Sequence, residues 1–340
     1  MRRTAFGILS ATAIFAQAQI SPFNQRTAVP PDSSGNYRLL IGGHLHGASS
    51  NVSGYPASTV LASIDAINGT GANAFLSTGD LFLHPDRDSA QYVNALFREL
   101  ALPLFNAPGN HDLHGSAFAG SRRMPVLLKF GKDRVLLLDT ERDDGRLKGE
   151  QAAALNALAE YAAQAAGANM FIISHRPIWS EGDDRYSSLF SGNTRSLLNP
   201  DFHADVLPVL RRISRQGQVF WISGSMAGRA PSSIFFQPEE EGITYIQCAV
   251  RDERRDALLI ADVKQGVVQW TAMSLTGQEL AAPETYDAAW WRLQQGTPET
   301  FNWRLMPYLV KKNLIHPAFS YGVISTVIVM LVIFLLRRRR

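Results

Sequence analysis

The sequence predicts a layered α/β fold followed by one helix long enough to cross a membrane. Three observations carry this prediction. Short apolar runs recur at 37–43, 74–77, 102–105, 170–173 and 218–222, each closed by glycine or small polar residues, which is the pattern of buried strands. Between the third and fourth, Leu147-Lys148-Gly149-Glu150-Gln151 opens a helical stretch with apolar positions at Leu155, Leu158, Tyr161 and Ala162. Residues 318–336 then form an apolar run without a charge, followed by Arg337, Arg338, Arg339 and Arg340.

The predicted strands matter for what stands at their ends. Run 37–43 delivers His44-Leu45-His46, and 74–77 leads into Thr78-Gly79-Asp80. Run 102–105 leads into Asn106-Ala107-Pro108-Gly109-Asn110-His111-Asp112. Runs 170–173 and 218–222 deliver Ser174-His175-Arg176-Pro177 and Ser223-Gly224-Ser225. Strand-end loops are the usual location of a site in such folds. Six of the eight histidines (His44, His46, His84, His111, His114 and His175) lie in or just after these segments. Isolated histidines are ordinarily surface or satisfied core residues, the expectation for His84, His114, His203 and His316. Asp183 and Asp184 are expected to be loop charges.

Further strands are expected at 133–139, 257–263 and 267–273, the last two joined by a Lys264-Gln265-Gly266 hairpin turn. The single cysteine, Cys248, sits in the strand-like run 244–250 and reads as a small buried apolar residue. With one cysteine, the domain must hold together without an internal disulfide. Its 340 residues provide ample core for that.

The ends predict where the protein works. Met1-Arg2-Arg3, the small and apolar run 4–15 and Ala16-Gln17-Ala18 have the three parts of a secretory signal, with cleavage before Gln19. Arginines after the apolar run 318–336 favour the cytoplasmic side, so the main domain is expected to be periplasmic or extracellular. The net charge of +3 arises from these ends: without Arg2, Arg3 and the four final arginines, 27 basic residues face 30 acidic ones. No basic patch recommends nucleic acid as a partner. The expected organisation is a signal peptide at 1–18, a linker at 19–36, a domain at 37–273, a juxtamembrane segment at 274–317, a transmembrane helix at 318–336 and a cytoplasmic tail at 337–340. Trp290, Trp291 and Trp303 in the juxtamembrane segment suit either a bilayer surface or packing on the domain.

His44-Leu45-His46, Gly79-Asp80, Gly109-Asn110-His111-Asp112 and Ser174-His175, in this order, resemble the metal-ligand segments of the calcineurin-like metallophosphoesterases over residues 37–273. The resemblance implies a four-layer sandwich of two mixed β-sheets flanked by α-helices, with the site at one rim. It implies that Asp80 bridges two metals, that His46 binds the first, that Asn110 and His175 bind the second, and that His111 meets the leaving group or the developing charge. The chain departs from the family at His44, where an aspartate is expected, and at Gly224-Ser225-Met226-Ala227, where two imidazoles are expected.

Asp80 is then the only carboxylate at a matched position, and two divalent ions would leave about three surplus charges in a low-dielectric site. At most one divalent transition metal (Mn, Fe or Zn) is expected, held either by His44, His46 and Asp80 or by Asp80, Asn110 and His175. Arg176 and Arg229 are candidates to clamp a phosphate. The implied function is hydrolysis of phosphate mono- or diesters through a metal-activated water by an exported, membrane-anchored enzyme. The alternative is an inactive relative that binds a ligand or an envelope protein partner, with oxidation at an iron site as a remoter reading.

Overall fold

The computed structural model describes residues 19–190, 201–226, 230–239, 242–294, 306, 310, 314 and 317–338. The expected signal peptide at 1–18 lies outside them.

Among the described residues, eleven strands build two mixed sheets. They are β1 (Tyr37–Gly42), β2 (Ala74–Ser77), β3 (Leu104–Asn106), β4 (Val126–Phe130), β5 (Asp133–Leu137), β6 (Met170–Ile173), β7 (Val219–Ser223), β8 (Ile234–Pro238), β9 (Ile243–Cys248), β10 (Ala257–Lys264) and β11 (Val267–Ser274). One sheet runs β11-β10-β1-β2-β3, with β1, β2 and β3 parallel and the β10–β11 hairpin antiparallel to β1. The other runs β4-β5-β6-β7-β9-β8, with four parallel central strands and an antiparallel strand at each edge. The hairpin turn falls at Gln265 and Gly266, both at positive φ (52° and 81°).

Side chains alternate across a strand, and both faces are used. Leu39 and Ile41 of β1 belong to the core between the sheets, whereas Leu40 packs outward against Val60, Ile67, Leu96 and Phe97. The second sheet is covered by α1 (Gly149–Gln164) and α2 (Leu207–Ser214). Helix α1 buries Ala154, Leu155, Leu158, Ala159 and Ala162, a spacing of three and four residues that makes one apolar face. Helix, sheet, sheet and helix give the expected four layers.

The sheets meet where β1 and β9 end. Gly43 pairs with Ala249 in an isolated parallel bridge, with Gly43 N donating to Cys248 O (3.1 Å) and Val250 N to Gly43 O (2.9 Å). A Cβ on Gly43 would stand 2.2 Å from Thr78 Oγ1, so only glycine permits this junction.

The segments on either side of the expected domain pack onto it. Residues 19–36, read as a linker, fold onto the domain: Ser21 Oγ donates to Leu104 O (2.6 Å), and the Phe23 ring lies 5.4 Å from those of Phe97 and Phe118. Beyond β11, α3 (Ala288–Gln294) buries Trp291 completely, its Nε1 donating to Ile234 O at 3.0 Å. Trp291 thus serves the domain core rather than a bilayer surface; Trp303 lies outside the described residues. Helix α4 (Pro317–Arg338) contains a 19-residue apolar span, Phe319–Arg337, none of it buried, which could cross a membrane.

Candidate metal centre

The parallel strands of both sheets point their carboxyl ends to one rim, where the strand-end loops converge. Two residues there adopt the left-handed conformation that favours glycine: His44 (φ 53°) and Asp80 (φ 54°). Such strained backbone collects at functional sites. Glycines let the loops approach. A Cβ on Gly79 would meet His175 Nδ1 at 2.4 Å, and one on Gly109 would meet Asp80 Oδ1 at 2.2 Å.

Asp80 is the hub. It is 2% exposed, and His111 N donates to its Oδ1 at 3.0 Å. Its Oδ2 is faced by three imidazole nitrogens: His44 Nε2 at 3.4 Å, His175 Nε2 at 3.5 Å and His46 Nε2 at 3.9 Å. Among the described residues, the ligand-capable groups are His44–Asp80–His175 and His46–Asp80–His111, the ligand atoms of each lying within 4.8 Å of one another. His44 therefore groups with His175, and His46 with His111, a division that sequence order did not suggest. Asn110 is half-buried between Gly109 and His111.

Hydrogen bonding sets the polarity of these rings. His175 Nδ1 lies 3.0 Å from Thr78 O and His111 Nδ1 lies 3.2 Å from Leu83 O. A carbonyl only accepts, so in each neutral ring Nδ1 carries the hydrogen and Nε2 a bare lone pair. The His175 lone pair then confronts a carboxylate oxygen, two acceptors that attract only through a shared cation or proton. His44 Nε2, His46 Nδ1 and Nε2 and His175 Nε2 are buried without a hydrogen bond. Ligand atoms about 2.1 Å from one tetrahedral ion stand about 3.4 Å apart, close to the spacing around Asp80 Oδ2. The residues present fit one divalent transition metal.

Burial works against the charge of Asp80, yet the surrounding His175, His44 and His46 hold its carboxyl well below the usual range. Burial pushes His44 well below the ordinary imidazole value against the pull of Asp80, and lowers His111 in the same way. Burial, reinforced by the Asp80 charge, raises Asp112, whose carboxylate accepts from Phe82 N, Gly109 N and Asn106 Nδ2 and shapes the loop that carries His111.

The other expected site residues fall out differently. Arg176, expected as a phosphate clamp, is 2% exposed and forms a bidentate pair with Glu141, both contacts at 2.7 Å. Two of its guanidinium nitrogens are thus committed inside the domain, and the third, Nη1, is buried without a hydrogen bond. Arg229 and Ala227 lie outside the described residues. Ser225 stands beside His175, its amide donating to His175 O at 2.7 Å. His84 and His114, expected to be bland, adjoin the site: ring contacts run His84–His114–His111–His46–His44–His175, with centroids 5.2–6.5 Å apart. Asp183 is held by Arg185, as expected for a loop charge.

Sequence reasoning missed Arg251. Its Nη1 lies 3.1 Å from His44 Nδ1 and 3.2 Å from Met226 O. The available signal was the polar run Arg251-Asp252-Glu253 just after a strand-like segment, a sixth strand end.

The architecture and the convergence of these loops match what the resemblance implied. The fold is two mixed sheets flanked by helices. No family model matches the chain, and no curated protein matches it. Among solved structures it is similar to a dimetal phosphatase from Danio rerio, at 14% identity over 73% of this chain and 98% of that one, with a TM-score of 0.49. It is also similar to a purple acid phosphatase from yellow lupin (Lupinus luteus) seeds, at 11% identity over 75% of this chain and 54% of that one, with a TM-score of 0.49. A third similar structure is a predicted phosphoesterase from Streptococcus pneumoniae, at 10% identity over 70% of this chain and 98% of that one, with a TM-score of 0.29. None of these likenesses bears on what this chain does.

Proposed function

We propose that the chain is a membrane-anchored hydrolase of phosphate mono- or diesters that works with one divalent transition metal, its domain exported to the periplasmic or extracellular side. The observation that carries this reading is the set of imidazole nitrogens around Asp80 Oδ2, with His175 Nε2 a lone pair 3.5 Å from the carboxylate. Asp80, Asn110 and His175 would hold the ion, with His46 Nε2 facing the same carboxylate oxygen at 3.9 Å. When bound, such an ion supplies Lewis acidity toward a phosphoryl oxygen and a nucleophile at neutral pH. His111 takes or gives its proton at Nε2, since Nδ1 is committed to Leu83 O. His44 and Asp80, held in left-handed backbone by the glycine-lined loops, keep the group in place without further rearrangement.

Orientation rests on α4 and the arginines that follow it, which favour the cytoplasmic side. Protease that reaches only the outer face of the membrane should digest the domain; protection until lysis would reverse the assignment.

The catalytic reading is tested with the full-length protein in detergent on panels of phosphate mono- and diesters, with Mn, Fe and Zn supplied in turn. Turnover that disappears in Asp80→Ala is expected. Turnover unchanged by Asp80→Ala would falsify the mechanism. A second reading, a ligand-binding relative without activity, is favoured by one observation, the engagement of Arg176 with Glu141 rather than with the rim. No turnover with any metal would select it.

A further inference from the structure

We propose that Arg251 is a positioning residue that turns the N–H of His44 toward Asp80, so that a protein N–H, and not a second metal ion, occupies the His44 side of the carboxylate. A guanidinium has donors and no acceptor. With Arg251 Nη1 3.1 Å from His44 Nδ1, that nitrogen must present its lone pair. A neutral imidazole carries one hydrogen, which is therefore on Nε2, the atom 3.4 Å from Asp80 Oδ2. Nε2 makes no hydrogen bond of ideal geometry there, and it acts as an N–H dipole against a buried carboxylate. Nitrogen bearing a hydrogen cannot ligate a metal. His44 thus differs from His175 and His111, whose Nδ1 atoms face carbonyls and whose Nε2 atoms are bare.

The fold fixes Arg251 in this role. Its backbone amide donates to Asp256 Oδ1 at 2.9 Å, and Nη1 is shared with Met226 O at 3.2 Å. The junction of β1 and β9, made by Val250 N donating to Gly43 O, sets residue 251 beside residue 44. A permanent positive charge against His44 also opposes a second divalent ion there. The aspartate that the resemblance expects at position 44 would have offered that ion a ligand; the pair Arg251–His44 offers it an N–H and a cation. The inference deepens the one-metal reading and rests on it for the identity of the site, although its first test needs no metal.

That test is nitrogen NMR of the metal-free, full-length protein in detergent micelles, with histidine labelled in both ring nitrogens and the His44 signals assigned by their loss in His44→Gln. The expected result is a bare Nδ1 and a protonated Nε2 for His44, preserved in Arg251→Lys and lost to a tautomer mixture in Arg251→Met. Cobalt(II) titration then reads stoichiometry: one equivalent for the wild type, and a second, weaker step in Arg251→Met that His44→Gln removes. A protonated Nδ1 on His44 in the wild type would overturn the inference, and that spectrum needs no variant of Arg251 to fold. An unchanged His44 spectrum in folded Arg251→Met would overturn it equally. The expected tautomer in a protein that binds no cobalt(II) would uphold this inference and sink the metal centre.

Discussion

His175 donates from Nδ1 to Thr78 O and turns a bare Nε2 toward Asp80 Oδ2, 3.5 Å away. Two buried acceptors are thereby aimed at one point, which the folded chain sustains because Gly79, at φ 97°, leaves room for the ring. The metal reading begins from this pair, and the first prediction concerns the glycine.

Gly79→Ala places a Cβ where it would meet His175 Nδ1 at 2.4 Å, in a backbone conformation that side chains rarely adopt. The expected cost is about 1–3 kcal/mol of stability, together with loss of metal affinity as His175 is displaced. Denaturant unfolding and metal titration read the two effects separately. Retention of wild-type affinity would mean that His175 is not a ligand.

His111→Ala should leave the metal bound, because Asp80, Asn110 and His175 remain, and should lower the rate by roughly a hundredfold or more, the scale for acid/base or charge-stabilising groups. Metal content measured beside turnover distinguishes this from loss of the ion. A rate within a factor of about two of wild type would remove His111 from the chemistry.

Arg176→Ala should act on stability. Removing the bidentate partner of a carboxylate that is 1% exposed, Glu141, is expected to cost about 3–5 kcal/mol. Thermal or denaturant unfolding checks this. A rise in KM with unchanged stability would restore Arg176 to the phosphate-clamping role that its place after His175 suggested.

Acid should destabilise the metal-free protein through its buried imidazoles. His44 and His111 are held below the ordinary value by burial, so the unfolded chain takes up protons near pH 6.5 before the folded one does. Their contribution is present above about pH 6.5 and is lost as pH falls toward the lower folded-state values. The buried carboxyls of Asp256, raised to about 7, and of Asp112 and Asp139, also raised, act in the opposite sense, so denaturant midpoints are compared with those of His44→Gln, in which the acid-induced loss should shrink; an equal loss in that variant would contradict the burial of this ring as a neutral group.

The architecture was legible because glycine-closed apolar runs mark the central strands, and Met170–Ile173 and Ala74–Ser77 fall where periodicity placed them. Strands β4 and β8 were not, for they are edge strands with exposed positions at Lys129 and Pro238 that break an apolar run. The histidines and Asp80 were legible as strand-end residues, but their grouping was not, since it depends on ring orientation set by the carbonyls of Thr78 and Leu83. Arg251 lies 207 residues from His44 in the chain, and only the junction of the two sheets brings them together. The neighbour of Arg176, His175, was visible in sequence, while its ion-pair partner Glu141, 35 residues earlier, was not.

The most direct test of the central claim is the metal content of the purified full-length protein after dialysis, determined by elemental analysis for the wild type and for Asp80→Ala. One tightly held transition metal per wild-type chain and none in Asp80→Ala is the predicted result. Two per wild-type chain, or a content that Asp80→Ala leaves unchanged, would contradict it.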